Sequence, residues 1–153
     1  MKAIKELAPK PSDALQAMVD GLRTQSKRSD FKLMMSTYGS FDEKTGICYG
    51  CAATCTIQEL AHQNLTIANI KRSEKRANAL SFYPLQLMYF ESAIDSVRTG
   101  TFDELEDYYE LKRGTLQGLH DDNDFYWYLS DINWEEYVPA IERFIKLLQE
   151  NNL

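Results

Sequence analysis

Trp134-Glu135-Glu136-Tyr137-Val138-Pro139-Ala140-Ile141-Glu142-Arg143-Phe144-Ile145-Lys146-Leu147-Leu148 decides the fold class of this 153-residue chain. Trp134, Tyr137, Val138, Ile141, Phe144, Ile145 and Leu148 recur at spacings of 3, 1, 3, 3, 1 and 3, the pattern of a helix buried along one side. Pro139 falls inside the run, so a bend or a fresh helix is expected there.

Working outward, the same period appears upstream. Leu85, Met88, Tyr89 and Ser92 form one stripe, with Leu87, Phe90 and Ile94 beside it. This predicts a long helix over Phe82–Val97, with Pro84 in its first turn. Its wide apolar face suits the centre of the molecule, with the 134–148 helix across it. Thr101-Phe102-Asp103-Glu104 reads as a capping box in which Thr101 caps and Glu104 reciprocates. Leu105, Tyr108, Tyr109 and Leu111 supply the inward face of that helix, and Gly114 its C-terminal stop. Residues 118–124 read as a turn, and Phe125–Leu129 as a short helix.

Pro11-Ser12-Asp13 opens an earlier helix, with Ser12 as N-cap and Leu15, Met18, Val19 and Leu22 on one face. Gly21 weakens its interior, and the polar residues 24–30 end it. Phe31–Met35 is a short apolar run of undecided type. Residues 36–46, rich in turn formers, make a loop or small hairpin. A helix over Gly50–His62 follows. The expectation is therefore all-α: one compact helical bundle over residues 1–153, with about five to seven helices and few or no strands.

The 44% apolar content supports a folded chain. No stretch reaches the apolar length of a membrane span, and Met1-Lys2-Ala3-Ile4-Lys5-Glu6 is not followed by the apolar core of a signal peptide. An odd count of three cysteines argues against a disulfide framework. Together these point to a cytoplasmic protein. Charge is uneven: residues 1–100 carry 13 Lys or Arg against 10 Asp or Glu, a balance of +3, and residues 101–153 carry 4 against 13, a balance of −9. The acidic third disfavours nucleic acid and favours a basic protein partner.

All three cysteines lie in Cys48-Tyr49-Gly50-Cys51-Ala52-Ala53-Thr54-Cys55. Buried, unreactive thiols beside Ala52 and Ala53, where another helix packs closely, are the preferred reading. Three chemical alternatives stand beside it. Cys48, Cys51 and Cys55 supply three thiolates for zinc or an iron–sulfur cluster. His62, seven residues beyond Cys55, is about 10 Å along a helix and out of reach as the fourth ligand. Cys48 and Cys51 also form a Cys-x-x-Cys redox pair. Finally, Gly46–Ala53 locally resembles the nucleophile segment of papain-like cysteine proteases, departing at Tyr49, Gly50 and Ala52. That resemblance implies Cys51 as a nucleophile opening a helix. His120 is then the base, and Asp121, Asp122 or Asp124 would orient it.

Lys71-Arg72-Ser73-Glu74-Lys75-Arg76 is the most basic run, read as a solvated helix face that could equally dock the acidic third of another copy. Asp121, Asp122, Asn123 and Asp124 lack the glycine and glutamate positions of a calcium loop, with Trp127 at position six. No nucleotide loop, HExxH or GxSxG occurs, and no cofactor is expected. Aromatics framed by acids suit a protein contact. The expected function is a noncatalytic inhibitor, immunity-type or regulatory domain. It would bind a basic protein surface through Tyr108, Tyr109, Asp121, Asp122, Asp124, Tyr126 and Trp127.

Overall fold

The computed structural model describes residues 2–73 and 80–153. The chain enters through a two-residue strand, β1 (Lys2–Ala3), and a single turn, α1 (Ile4–Leu7). It then forms α2 (Pro11–Ser26). Pro11 takes the first helical position, where its missing N–H costs nothing. The Asp13 carboxylate accepts the Lys10 N–H at 3.0 Å. Lys10, not Ser12, is thus the N-cap; Ser12 lies one residue inside and its N–H donates to the Leu153 carbonyl at 3.4 Å. Leu15, Met18, Val19 and Leu22 are buried as the periodicity requires.

Gly21 is explained by α3 (Ala52–Ala61), which crosses it. A Cβ at position 21 would stand 2.3 Å from the Cys55 carbonyl oxygen, so only glycine lets the two backbones approach this closely. Past the end of α2, Arg28 joins several segments. It donates to Asp30 at 2.9 Å, to the side-chain carbonyls of Gln25 and Gln58 at 2.7 and 3.0 Å, and to the Leu65 carbonyl at 2.9 Å.

Between α2 and α3 lies a three-stranded sheet: β2 (Phe31–Leu33), β3 (Ser40–Asp42) and β4 (Ile47–Gly50), in the order β2-β4-β3. β4 runs parallel to β2 and antiparallel to β3, with Cys48 opposite both Phe31 and Phe41. The hairpin alternative for residues 36–46 is the one realised. After α3 comes α4 (Ile67–Ser73). Here Lys71 pairs with Glu43 and lies 5.5 Å from the Phe41 ring centroid, while Arg72 donates to Asn69 at 2.7 Å. The rest of the basic run, residues 74–76, lies outside the described residues.

The long helix expected over Phe82–Val97 is not formed. Leu85–Gln86 is instead a strand, β5, parallel to β1, and only Phe90–Val97 is helical, as α5. Met88 and Tyr89 have φ of 34° and 70°, which stops a right-handed helix from propagating backwards. α2, which packs against α3, α8, β2 and α5, takes the central place instead.

The 101–104 capping box is also absent. α6 (Asp103–Tyr108) starts after Phe102, whose N–H donates to Gln117 at 2.8 Å, and Glu104 bonds the Ser92 hydroxyl. The expected turn at 118–124 is mostly helix: α7 (Thr115–Asp122). Gly114 precedes it at φ 92°, opening α7 rather than closing α6. α7 is capped from outside. The fully buried Glu106 carboxylate accepts the N–H groups of Gly114, Leu116 and Gln117 at 3.1, 2.7 and 3.1 Å. An anion at the positive end of a helix satisfies donors that have no partner within it.

Phe125–Leu129 has no regular secondary structure and is not helical. Trp127 and Leu129 point inward while Tyr126 and Tyr128 point out. Trp127 Nε1 donates to the Val97 carbonyl, and the Leu129 N–H to that of Arg98, both at 2.8 Å. α8 (Trp134–Glu150) then runs unbroken through Pro139. Burial of Val138, Ile141, Phe144, Ile145 and Leu148 outweighs the hydrogen bond that proline deletes. Arg23 and Glu142 form a two-bond ion pair, at 2.7 and 3.2 Å, tying α8 to α2.

Among the described residues the fold is 52% helical with 10% strand, in eight helices and two small sheets, not a pure bundle of five to seven helices. The buried apolar residues form one contiguous cluster from Ile4 to Leu148. No helix among them is long and apolar enough to cross a membrane.

Candidate functional site

The cysteines sit where β4 turns into α3. All three are free thiols and at most 2% exposed. Cys48 is on the central strand, and Cys55 one turn into the helix, under Gly21. Cys51 is the N-cap of α3. Its thiol lies 3.6 Å from the Thr54 hydroxyl, which itself donates to the Tyr38 carbonyl at 2.6 Å. Burial pushes the Cys51 thiol up, an effect opposed in part by hydrogen bonding from Thr54 and the Ala53 N–H. Burial raises Cys55 and Cys48 as well. Cys51 borders a recess of about 220 Å³ with Met35, Ser36, Thr37, Tyr38 and Asp95. Burial, and then the neighbouring Cys51 and Asp95, push the Tyr38 phenol up to about 12. A helix start beside a recess has the outline of a thiol site, but a thiol raised by burial is a poor nucleophile at neutral pH.

His120 does not line that recess. It is buried on α7 in an aromatic box, 4.6 Å from Trp127, 5.1 Å from Phe102, 5.6 Å from Phe144 and 6.1 Å from Phe125 between ring centroids. Nδ1 lies 2.8 Å from the Asp121 carboxylate, and Nε2 is buried without a partner. The pairing holds the Asp121 carboxyl below its usual range, with Gln117 helping. His62 is exposed at the far end of α3, in the left-handed conformation at φ 51°. Among the described residues no group of three His, Cys, Asp or Glu side chains is arranged to hold a metal ion.

The residues expected to bind protein are divided among three places. Asp121, Asp122, Asp124 and Tyr126 are exposed around the end of α7. Trp127 is in the core, and its indole has no face left for a partner. Tyr109 is half-buried and donates from its hydroxyl to the Ala8 carbonyl at 2.7 Å, a structural tie. Tyr108 packs on Phe90 and borders a groove that includes none of the residues beyond Glu110.

The structure adds two features to the sequence reading: which side chains of the aromatic segment face out, with Ile132 beside them, and a groove elsewhere. Tyr126, Tyr128 and Ile132 are 74%, 49% and 92% exposed, although Ile132 is the kind of side chain usually buried. Their neighbours Asp122, Asp124, Asp131, Glu135 and Glu136 make no ion pair among the described residues. The alternation Tyr126-out, Trp127-in, Tyr128-out was available as a period of two. The second feature is the groove itself, about 510 Å³ in volume, with Lys5, Met88, Tyr89, Glu104, Tyr108 and Glu110 among its lining residues. Met88 and Tyr89 are 70% and 82% exposed. The sequence period places them on the buried stripe of a Phe82–Val97 helix, of which only Phe90–Val97 forms.

No family model, curated protein or solved structure matches the chain.

Proposed function

We propose that the protein is a noncatalytic interaction domain of inhibitor, immunity or regulatory type. In this reading it binds a basic protein surface through segment 121–136. The observation that carries it is the exposure of Tyr126, Tyr128 and Ile132 in a stretch whose Asp122, Asp124, Asp131, Glu135 and Glu136 lack ion-pair partners. Apolar and aromatic side chains supply the anchors of a protein contact. Surrounding charges of one sign steer a partner of the opposite sign and make its arrival salt-sensitive.

Less supports the thiol-enzyme and metal readings. Cys51 is buried with a raised thiol, and His120 is packed among aromatics with Asp121 as its bonded partner. Among the described residues, no donors join Cys48, Cys51 and Cys55 in an arrangement that could hold a metal ion. The deciding experiment is affinity capture followed by association kinetics at low and moderate salt. The captured protein should present a basic surface. Replacing Asp121, Asp122 and Asp124 by lysine should slow association at least ~10-fold at low salt, the scale of electrostatic steering. Undiminished capture by that variant removes this surface from consideration.

A further inference from the structure

The groove beside Tyr108 lies apart from segment 121–136. We infer that it seats a lysine or arginine side chain from an extended basic segment of the protein partner, whose apolar neighbour docks on Met88 and Tyr89. The inference rests on the reading that the partner is basic, and it adds a second contact.

Charge is the first argument. Among the groove's carboxylates, Asp107 pairs with Arg113 at 3.0 Å and Glu110 with Lys5 at 4.0 Å. Among the described residues Glu104 has only the neutral Ser92 hydroxyl as partner. Glu91, next to Ser92 in sequence but outside the lining, has a buried oxygen without a partner among the described residues and, after burial, helps raise the Tyr108 phenol. Within the lining, three carboxylates (Glu104, Asp107 and Glu110) against one cation, Lys5, leave a formal charge of −2 around one aromatic ring.

The second argument is that the protein already shows the chemistry. Lys5 Nζ stands 5.2 Å from the centroid of the Tyr108 ring, within the range of a cation–π contact. An ammonium group therefore fits beside this ring, and the carboxylates exceed what Lys5 neutralises. The third is preorganisation. Met88 and Tyr89 are held out by positive φ angles between β5 and the start of α5, which limits the ordering cost when an apolar group lands on them. The open groove, about 510 Å³, suits several side chains rather than one.

The test is amide NMR titration of the full chain with a capped pentapeptide of alternating lysine and leucine, beside its glutamine–leucine counterpart and n-butylamine. Saturable shifts at Ser92, Glu104 and Tyr108 with the lysine peptide are expected. Glu104→Gln or Tyr89→Asn, both at exposed positions, should weaken binding at least ~5-fold. Asp122→Lys should leave the groove shifts in place. Equal binding of the glutamine peptide overturns the inference, as does n-butylamine binding as tightly as the peptide. Shifts confined to residues 121–136 overturn the groove while leaving the proposed function standing. Shifts confined to the groove uphold it and count against the 121–136 surface. No shifts at either place sinks both.

Discussion

Replacing Glu106 by alanine should destabilise the protein more than any other single carboxylate removal. Glu106 is fully buried, and its two oxygens accept three backbone N–H groups at the start of α7. Gly114, at φ 92°, has no side chain to offer in its place. Each charge-assisted bond contributes about 1.5–3 kcal/mol, but bonds to one carboxylate are not additive, and truncation admits some water. A loss of about 3–5 kcal/mol follows for Glu106→Ala, with the upper end reached if Leu116 and Gln117 N–H stay dry. For a domain of this size that lowers the melting temperature by roughly 6–20 °C. Glu106→Gln keeps the volume. Its carboxamide oxygen still serves two donors, but its NH2 group confronts the Gly114 N–H, so about 1.5–3 kcal/mol is expected.

Urea and thermal unfolding followed by far-ultraviolet circular dichroism give the order wild type, Gln, Ala, with an unchanged denaturant slope. Hydrogen exchange supplies the local check. The amides of Leu116 and Gln117 should lose protection in Glu106→Ala more than those of α8. A loss under about 0.5 kcal/mol, the range of an ordinary surface substitution, would refute the capping argument.

Other expectations are as direct. Gly21→Ala places a methyl group 2.3 Å from the Cys55 carbonyl oxygen; it should cost about 3 kcal/mol or more, and a neutral effect in denaturation would show that α2 and α3 pack less closely. Cys51 and Cys55 should alkylate slowly in the native protein and quickly once unfolded, with native rates still climbing above about pH 8.5, where an ordinary thiol titrates. Fast alkylation of Cys51 at lower pH would instead favour the thiol-enzyme reading. Bonds to Arg28 and His120 lower Asp30 and Asp121 respectively. Their contribution to stability is therefore present above the usual carboxylate range, near pH 4, and lost as pH falls through the depressed values. Asp30→Asn with Asp121→Asn should flatten the acid limb of a stability–pH curve, and an unaltered limb would contradict the assignment.

Segments with a long, one-sided period were legible in the sequence. α2 buries all four residues that the spacing nominated, and α8 buries five of seven, with Trp134 and Tyr137 half-buried, because fifteen or so residues give the pattern time to declare itself. The Phe82–Val97 stretch misled for the opposite reason. Phe90, Ala93, Ile94 and Val97 do form a buried helical face, but Leu85 belongs to a strand paired with the distant Lys2. That pairing is parallel and joins segments 83 residues apart in number, so no local signal announces it. The three-residue β2 is equally silent. At α7 the local grammar favoured a turn, since Gly118 and the run of acids are poor helix material. The helix exists because Glu106, eight residues before Gly114, reaches across to cap it.

The candidate site was legible in charge but not in geometry. Counting acids located the segment from Asp121 to Asp124, and all three aspartates there are exposed. Counting could not decide which aromatics stay outside. In Phe125–Leu129 every side chain is apolar enough to bury, and the outcome turns on one hydrogen bond partner for the indole of Trp127, the Val97 carbonyl. With Trp127 and Leu129 drawn in, the alternation leaves Tyr126 and Tyr128 outward. The same core contact that removes Trp127 from the expected interface therefore presents its two neighbours there. It follows that Trp127 acts on any partner only by anchoring the segment to the core. Trp127→Phe would then alter binding through the mobility of Tyr126 and Tyr128, whereas Tyr126→Ser would remove an anchor and leave the segment in place.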